Sequence, residues 1–218
     1  MIRPLAPLLA LVYPARCPFC GRVLERWEDG MCDTCQRVLP WVEPGEAQRE
    51  VDGCVRCLAP LWYRDGVREG VRRYKFQHGR GHSRLFGALM AQCLARDWAE
   101  PADLVTWVPL SRKRLRARGY DQAELLARRV GEVTGLPAVP TLEKRRHTRV
   151  QSRLGTEGAR QANVAGAYAC LPGVELSGKR VVLVDDVATS GATLAQCAAC
   201  LRAAGAARVV ALTLARAK

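Results

Sequence analysis

The C-terminal half of the chain alternates between short apolar runs typical of strands and longer segments with the apolar spacing of helices. Residues 104–108 and the fully apolar run 181–184 have the β-rich composition of buried parallel strands. Between them, Asp121 and Glu124 form a capping-box pattern that opens a helix, and Gly135 suits its C-terminal cap. Two further elements follow the second run, a small-residue helix over 193–204 and a strand over 209–214. This alternation predicts an α/β fold in which helices flank a parallel sheet.

The first half of the chain has a different character. Residues 1–60 are rich in Cys, Pro, Gly and Trp and show little periodicity, as expected of a small module stabilised by a metal. Residues 61–218 then form the α/β domain, and its first part, 61–100, is basic with a helical pattern. The apolar stretch 5–12 is interrupted by proline and is far shorter than the ~20 residues that a membrane span needs. We therefore expect no membrane insertion.

Six of the ten cysteines lie in the first 57 residues as three C-x2-C pairs. This spacing favours metal thiolates over disulfides, and it predicts a reduced, cytoplasmic protein. The pairs Cys17, Cys20 and Cys32, Cys35 together predict a structural zinc site, with a reduced cluster or a redox pair as the alternative. The third pair, at 54 and 57, is either a pair of leftover thiols or a competitor for the metal. The C-x2-C at 197 and 200 falls in a helix pattern and is more typical of burial.

Charge narrows the choice of partners. The chain carries 34 Lys and Arg against 21 Asp and Glu, a formal net charge of +13. Such a balance favours nucleic acid or phosphorylated small molecules as ligands. A basic surface that is merely solvated is the alternative, because excess charge alone is a weak indicator.

One stretch, residues 181–193, carries specific chemistry. An apolar strand ends in Asp185 and Asp186, whose side chains point to opposite faces and therefore suit two neighbouring donors such as vicinal ribose hydroxyls. The turn that follows exposes backbone N–H groups and hydroxyls at the start of a helix, which makes a site for one phosphate group. Its residues are Ala188, Thr189, Ser190, Gly191, Ala192 and Thr193. The alternative is a plain strand–turn–helix whose acidic pair caps the helix.

This stretch resembles the phosphoribosyl pyrophosphate motif of type I phosphoribosyltransferases. The rest of the chain is similar to the ComF family of competence-associated proteins, through the three cysteine pairs and the segments 108–111, 118–122, 148–151 and 162–164. The resemblance implies a type I phosphoribosyltransferase-like parallel sheet flanked by helices, preceded by a small N-terminal zinc-ribbon module.

The resemblance also implies roles for individual residues. Asp185 and Asp186 would be the catalytic pair that holds the ribose hydroxyls of phosphoribosyl pyrophosphate or a related ribose phosphate, directly or through Mg²⁺. The pyrophosphate would meet Pro109, Leu110, Ser111 and Arg112, and a mobile loop over the ligand would include Lys144, Arg145, Arg146 and Gln151. The family usually has Asn at position 121 and Thr at position 190, so Asp121 is a change of charge, whereas Ser190 keeps the hydroxyl.

The basic stretches leave two functions open. Nucleic-acid contacts are predicted for Arg112, Lys113, Arg114, Arg116 and Arg118, although the same cations suit pyrophosphate. The resemblance implies a role in DNA uptake through single-stranded DNA, with a DNA-uptake helicase or another competence protein as a further partner. The alternatives are an active Mg²⁺-dependent phosphoribosyltransferase and a purely structural adaptor.

Overall fold

A computed structural model describes residues 14–25, 28–46, 50–77, 79–146 and 166–217. Its helices are α1 (Asp33–Val38), α2 (Asp65–Phe76), α3 (Ser83–Asp97), α4 (Arg112–Arg118), α5 (Gln122–Thr134) and α6 (Ala192–Ala203), with a 3₁₀ turn at Gly79–His82. Its strands are β1 (Arg56–Leu58), β2 (Leu61–Trp62), β3 (Leu104–Trp107), β4 (Leu142–Lys144), β5 (Tyr168–Cys170), β6 (Arg180–Ala188) and β7 (Arg208–Arg216).

Within the described residues, five strands form one parallel sheet in the order β1-β7-β6-β3, and β2 also pairs with β7. Strands β4 and β5 form a separate antiparallel pair. The predicted parallel sheet flanked by helices is therefore confirmed. Strand β1 lies inside the segment 1–60, so that segment shares the main sheet with the α/β domain.

The alternation of side chains along β6 explains why both faces of the sheet are covered. Val182 and Val184 pack into a core cluster with α2, α3 and α5, whereas Val181 and Leu183 pack with α6 on the other face. Phe19, from the first cysteine pair, belongs to the same cluster as α2 and α3. The cysteine-rich segment and the α/β domain therefore share one apolar core.

The helix predicted after Asp121 is confirmed as α5. The Asp121 carboxylate accepts the N–H groups of Ala123 and Glu124, and Gly135 caps the other end in the left-handed conformation with φ 75°. Glu124 makes an ion pair with Arg128 one turn further on. The predicted helix over 193–204 is observed as α6, and the predicted strands over 104–108 and 209–214 are observed as β3 and β7, with shifts of one or two residues at most.

Candidate functional site

A cavity of about 850 Å³ opens at the carboxyl ends of β3 and β6. Parallel α/β sheets bind their ligands at this edge because the turns into the following helices converge there. Its walls come from the end of β6, the turn into α6, the loop after β3, and the helices α2 and α4. The segments that the sequence predicted as ribose, phosphate and pyrophosphate sites therefore border one space.

The acidic pair lies at the end of β6. Asp186 is nearly buried, and its Oδ1 lies 2.9 Å from the Nζ of Lys75 in α2. Its Oδ2 is buried and has no hydrogen-bond partner among the described residues. Asp185 accepts the N–H of Asp186 at 2.8 Å, and burial together with the neighbouring Asp186 carboxylate raises the pKa of Asp185 well above its usual value. Two carboxyl groups therefore lie side by side in a buried position, and Oδ2 of Asp186 is left to accept from a hydrogen-bond donor.

The turn from β6 into α6 has the geometry of an anion site. Ala188 ends the strand, and Gly191 adopts φ 77° immediately before the helix begins at Ala192. The Ser190 hydroxyl accepts the Ala192 N–H at 3.4 Å, and the side of the turn that carries Thr189 and Gly191 lines the cavity. Because the first N–H groups of a helix lack partners within the helix and its dipole is positive there, this end attracts an anion.

The loop after β3 is fixed by Asp121. The N–H of Leu110 donates to Asp121 Oδ2 at 2.8 Å, while the other carboxylate oxygen caps α5. Ser111 in turn caps α4, accepting the N–H of Arg114 at 3.4 Å. Burial raises the pKa of Asp121 to about 6, even though its hydrogen bonds favour the charged form. The structure thus gives this residue a role as the tie between the loop and α5.

Lys144 is the last residue of β4 and is half-buried, whereas the sequence analysis placed it in the mobile loop. Its Nζ donates to the hydroxyl of Tyr168 at 2.7 Å, and Thr193 contacts the same hydroxyl. Burial, followed by the nearby Arg114, lowers the pKa of Lys144 to about 8. Arg145 is exposed and pairs with Glu143 at 3.0 Å. Arg146 is exposed, and Gln151 lies outside the described residues.

Two site residues were missed by the sequence analysis, Lys75 and Tyr168. Lys75 was counted only as one cation of a basic stretch. The sequence does contain a signal for the position of Lys75. Val67, Val71 and Tyr74 define the buried face of α2, and Lys75 lies at the edge of that face. Tyr168 has no comparable signal, since it reaches the cavity only through the pairing of β5 with β4.

The predicted nucleic-acid cations all lie on α4. Arg112, Lys113 and Arg116 are exposed, while Arg114 and Arg118 are half-buried and line the cavity. The guanidinium of Arg118 lies over the ring of Phe76 at 5.1 Å from its centroid, and Phe76 is 70% exposed. A charged helix and an open aromatic ring thus meet at the rim of the cavity.

The two predicted cysteine pairs converge. The Sγ atoms of Cys17, Cys20, Cys32 and Cys35 all lie within 4.8 Å of one another, and those of Cys20 and Cys32 are 3.7 Å apart. Tetrahedral zinc with Zn–S bonds of ~2.3 Å places its sulfurs roughly 3.8 Å apart, so the cluster fits that ion. Burial raises the pKa of the Cys32 thiol, but several hydrogen bonds, among them one from the N–H of Cys35, outweigh burial and lower it to about 7.

The other cysteines lie apart from this cluster. Cys57 is buried on β1, Cys54 beside it is partly buried, and Cys197 is buried within α6. Within the described part of the chain, the four N-terminal cysteines form the one group that meets the geometry of a metal site. No helix in the described ranges combines the length and apolar composition needed to cross a bilayer.

Comparison with known proteins places this geometry in context. Residues 117–218 match the phosphoribosyl transferase domain family. The chain is 29% identical to "Competence protein F" of Haemophilus influenzae, over 93% of this chain and 97% of that protein. It is 26% identical to "Competence protein ComFC" of Bacillus subtilis, over 92% of this chain and 77% of that protein.

Among solved structures, a glutamine phosphoribosylpyrophosphate amidotransferase from B. subtilis, in complex with ADP and GMP, superposes with a TM-score of 0.41 at 29% identity. The superposition covers 61% of this chain and 26% of that one, so the chain spans about a quarter of that enzyme. These matches agree with the resemblance predicted from the motifs: the chain is similar to ComF competence proteins over most of its length, and residues 117–218 match the phosphoribosyl transferase domain.

Proposed function

We propose that this protein binds a 5-phosphoribosyl compound, either phosphoribosyl pyrophosphate or a related ribose phosphate, and acts in DNA uptake through contacts with single-stranded DNA. Binding of the sugar phosphate is supported above all by Oδ2 of Asp186, which is buried and has no hydrogen-bond partner among the described residues. Asp186 lines a cavity that also contains the N-terminus of α6. A buried acceptor without a donor costs about 1–3 kcal/mol, and a ribose hydroxyl would remove that cost.

The two ends of a ribose 5-phosphate match the two ends of this segment. The sugar hydroxyls would donate to Asp185 and Asp186, and the 5-phosphate would accept N–H groups and hydroxyls of the turn that contains Thr189, Ser190 and Gly191. A 1-pyrophosphate would extend toward Leu110 and Arg114, which line the same cavity. When bound, Mg²⁺ would neutralise charge on the pyrophosphate, and carboxylate oxygens are the ligands it prefers.

Calorimetry with ribose 5-phosphate and with phosphoribosyl pyrophosphate, each with and without Mg²⁺, tests this part of the proposal. Asp186→Asn should weaken binding at least ten-fold, because the amide offers one acceptor in place of two. Glu132→Gln, which removes a carboxylate from the exposed face of α5, is the matched control and should bind like the wild type. Absence of binding to either compound under every condition would end the sugar-phosphate hypothesis.

Support for single-stranded DNA comes from the rim of the cavity. Exposed cations on α4 would contact phosphates, and the open face of Phe76 offers a surface on which a base can stack. The names of the relatives, which refer to competence, favour DNA as the polyanion. The two ligands would then occupy adjacent parts of one surface.

Fluorescence anisotropy with a labelled oligonucleotide tests the DNA contacts. Replacing Arg112, Arg114 and Arg116 by Glu should abolish measurable binding, and the affinity of the wild type should fall steeply with salt. Arg84→Glu makes the same kind of charge change at an exposed position of α3 that does not line the cavity, so it should have a much smaller effect. An affinity that does not depend on salt would contradict the proposal.

Phosphoribosyl transfer is the second candidate function, and the placement of Lys144 and Arg114 favours it. Cleavage at ribose C1 develops positive charge on the sugar and negative charge on the pyrophosphate, and both cations line the cavity near the predicted pyrophosphate segment. Incubation with Mg²⁺, phosphoribosyl pyrophosphate and a panel of nucleobases should release pyrophosphate if the protein turns over. No release above the Asp186→Asn background would exclude transfer to those acceptors.

The four-cysteine cluster would hold a structural zinc ion, which stabilises a segment too small to build its own core. Its shared packing with α2 and α3 through Phe19 suggests that the ion also supports the wall of the cavity.

A further inference from the structure

Lys75 is an ammonium fixed beside the acidic pair rather than a mobile surface lysine. It is the penultimate residue of α2, and its side chain is 24% exposed. The end of α2 is held from two directions. The hydroxyl of Tyr74 donates to the carbonyl of Gln122 at 2.8 Å, and the hydroxyl of Tyr120 donates to the carbonyl of Tyr74.

The cysteine-rich segment holds the same turn from a third direction. Arg73 Nη1 donates to the carbonyl oxygens of Pro18 and Phe19 at 2.9 and 2.6 Å, within the first cysteine pair. Because Arg73 and Tyr74 are both bound, the helical turn that carries Lys75 is anchored beside Asp186. A contact built in this way is suited to position a carboxylate.

The ammonium occupies one oxygen of Asp186 and leaves the other for a ligand. Oδ1 is bound at 2.9 Å, whereas Oδ2 has no partner in the described residues. A divalent cation on Oδ2, at the usual Mg–O distance of ~2.1 Å, would stand close to the ammonium and be repelled by it. A neutral hydroxyl donor would meet no such repulsion.

We infer that Lys75 is the resident counter-ion of the acidic pair. It replaces a metal at Asp186, so that the ribose end of the ligand binds without Mg²⁺ and any Mg²⁺ acts only at the pyrophosphate end. Lys75 is then a positioning residue, which acts on the ligand through Asp186. This inference rests on the proposed sugar-phosphate site and divides it into a metal-independent half and a metal-dependent half.

The test uses ribose 5-phosphate, which has no pyrophosphate, titrated into the protein in Mg²⁺-free buffer and again in Mg²⁺, with no chelator in either buffer so that the four-cysteine site keeps its zinc. The wild type should bind equally well in both buffers. Lys75→Met keeps the length of the stem but removes the charge, and without Mg²⁺ it should bind about ten- to a hundred-fold more weakly. Adding Mg²⁺ should restore much of that loss, because the vacated position beside two carboxylates then accepts the metal. Lys179→Met, exposed just before the opposite end of β6, is the matched control and should behave like the wild type.

Two further measurements distinguish the loss of the Lys75 charge from a structural effect of the Lys75→Met substitution. Titration with Mg²⁺ alone should detect a new site in Lys75→Met that the wild type lacks, and Lys75→Arg should retain binding without Mg²⁺ within about ten-fold because the cation is kept. Equal binding of wild type and Lys75→Met without Mg²⁺ would overturn the inference, and so would a wild type that binds ribose 5-phosphate only with Mg²⁺. Failure of the wild type to bind in any buffer would instead overturn the proposed function itself.

Discussion

The buried carboxyl of Asp121 predicts a specific dependence of stability on pH. Its pKa is about 6 in the folded protein against an ordinary value of 3.8, because burial disfavours the charged form. The folded state therefore holds this proton to a higher pH than the unfolded state does. The stabilising contribution is fully present below the ordinary value and is lost as the pH rises through about 6. These two values give a loss of about 1–2 kcal/mol in the free energy of unfolding between pH 5 and pH 7.5 from this group alone.

The substitution Asp121→Asn isolates the pH-dependent contribution of this carboxyl group to the free energy of unfolding. Asn cannot titrate, and it keeps one acceptor oxygen for the start of α5. Urea unfolding of both proteins at pH 5 and pH 7.5, in buffer containing zinc, gives the difference between their free energies of unfolding. That difference should move by about 1–2 kcal/mol in favour of the variant as the pH rises, whatever its constant offset from the lost acceptor. A difference that stays flat, or that moves toward the wild type, would refute the argument from burial.

Three further predictions concern the supports of the site. In Gly70→Ala, the new Cβ would lie 2.9 Å from Cδ1 of Phe19, so urea unfolding should show a loss of about 1–3 kcal/mol. Gly66→Ala in the same helix meets nothing closer than 3.7 Å and should gain about 0.5–1 kcal/mol, so equal effects would contradict the packing described for α2. Gly191→Ala forces a side chain onto a residue at φ 77°, which should cost about 1–2 kcal/mol and weaken ribose 5-phosphate binding in calorimetry. Cys20→Ser should lower the zinc content measured by atomic absorption to well under one ion per chain, whereas unchanged content would exclude the four-cysteine site.

Local sequence signals were sufficient for the central elements of the α/β domain. The Asp121 cap and Gly135 placed α5 to the residue, since both ends depend on side chains or backbone conformations that lie within the helix or next to it. The run 181–184 was found as a strand, but β6 continues to Ala188. Aspartates are poor strand formers, so composition alone could not show that pairing with β7 extends the strand through both carboxylates.

What the sequence could not supply were contacts between distant segments. Lys75 and Asp186 are brought together only because α2 packs beside the end of β6, and neither residue carries a mark of that partnership. Tyr168 reaches Lys144 through the pairing of β4 with β5, two very short strands that have no alternating pattern of their own. The motif in 181–193 therefore identified one wall of the cavity, while the opposite wall depends on tertiary packing.

The pairing of β1 and β2 with β7 constrains how the chain is made. Leu58 pairs with Leu212, so an early segment takes its place in the sheet only after β7, more than 150 residues later, has left the ribosome. Until β7 has been made, β1 and β2 have no strand to pair with. This favours slow, late completion of the sheet and dependence on chaperones. A fragment that began at residue 61 would leave the apolar edge of β7 open along the length of β1, and that edge would recruit other chains.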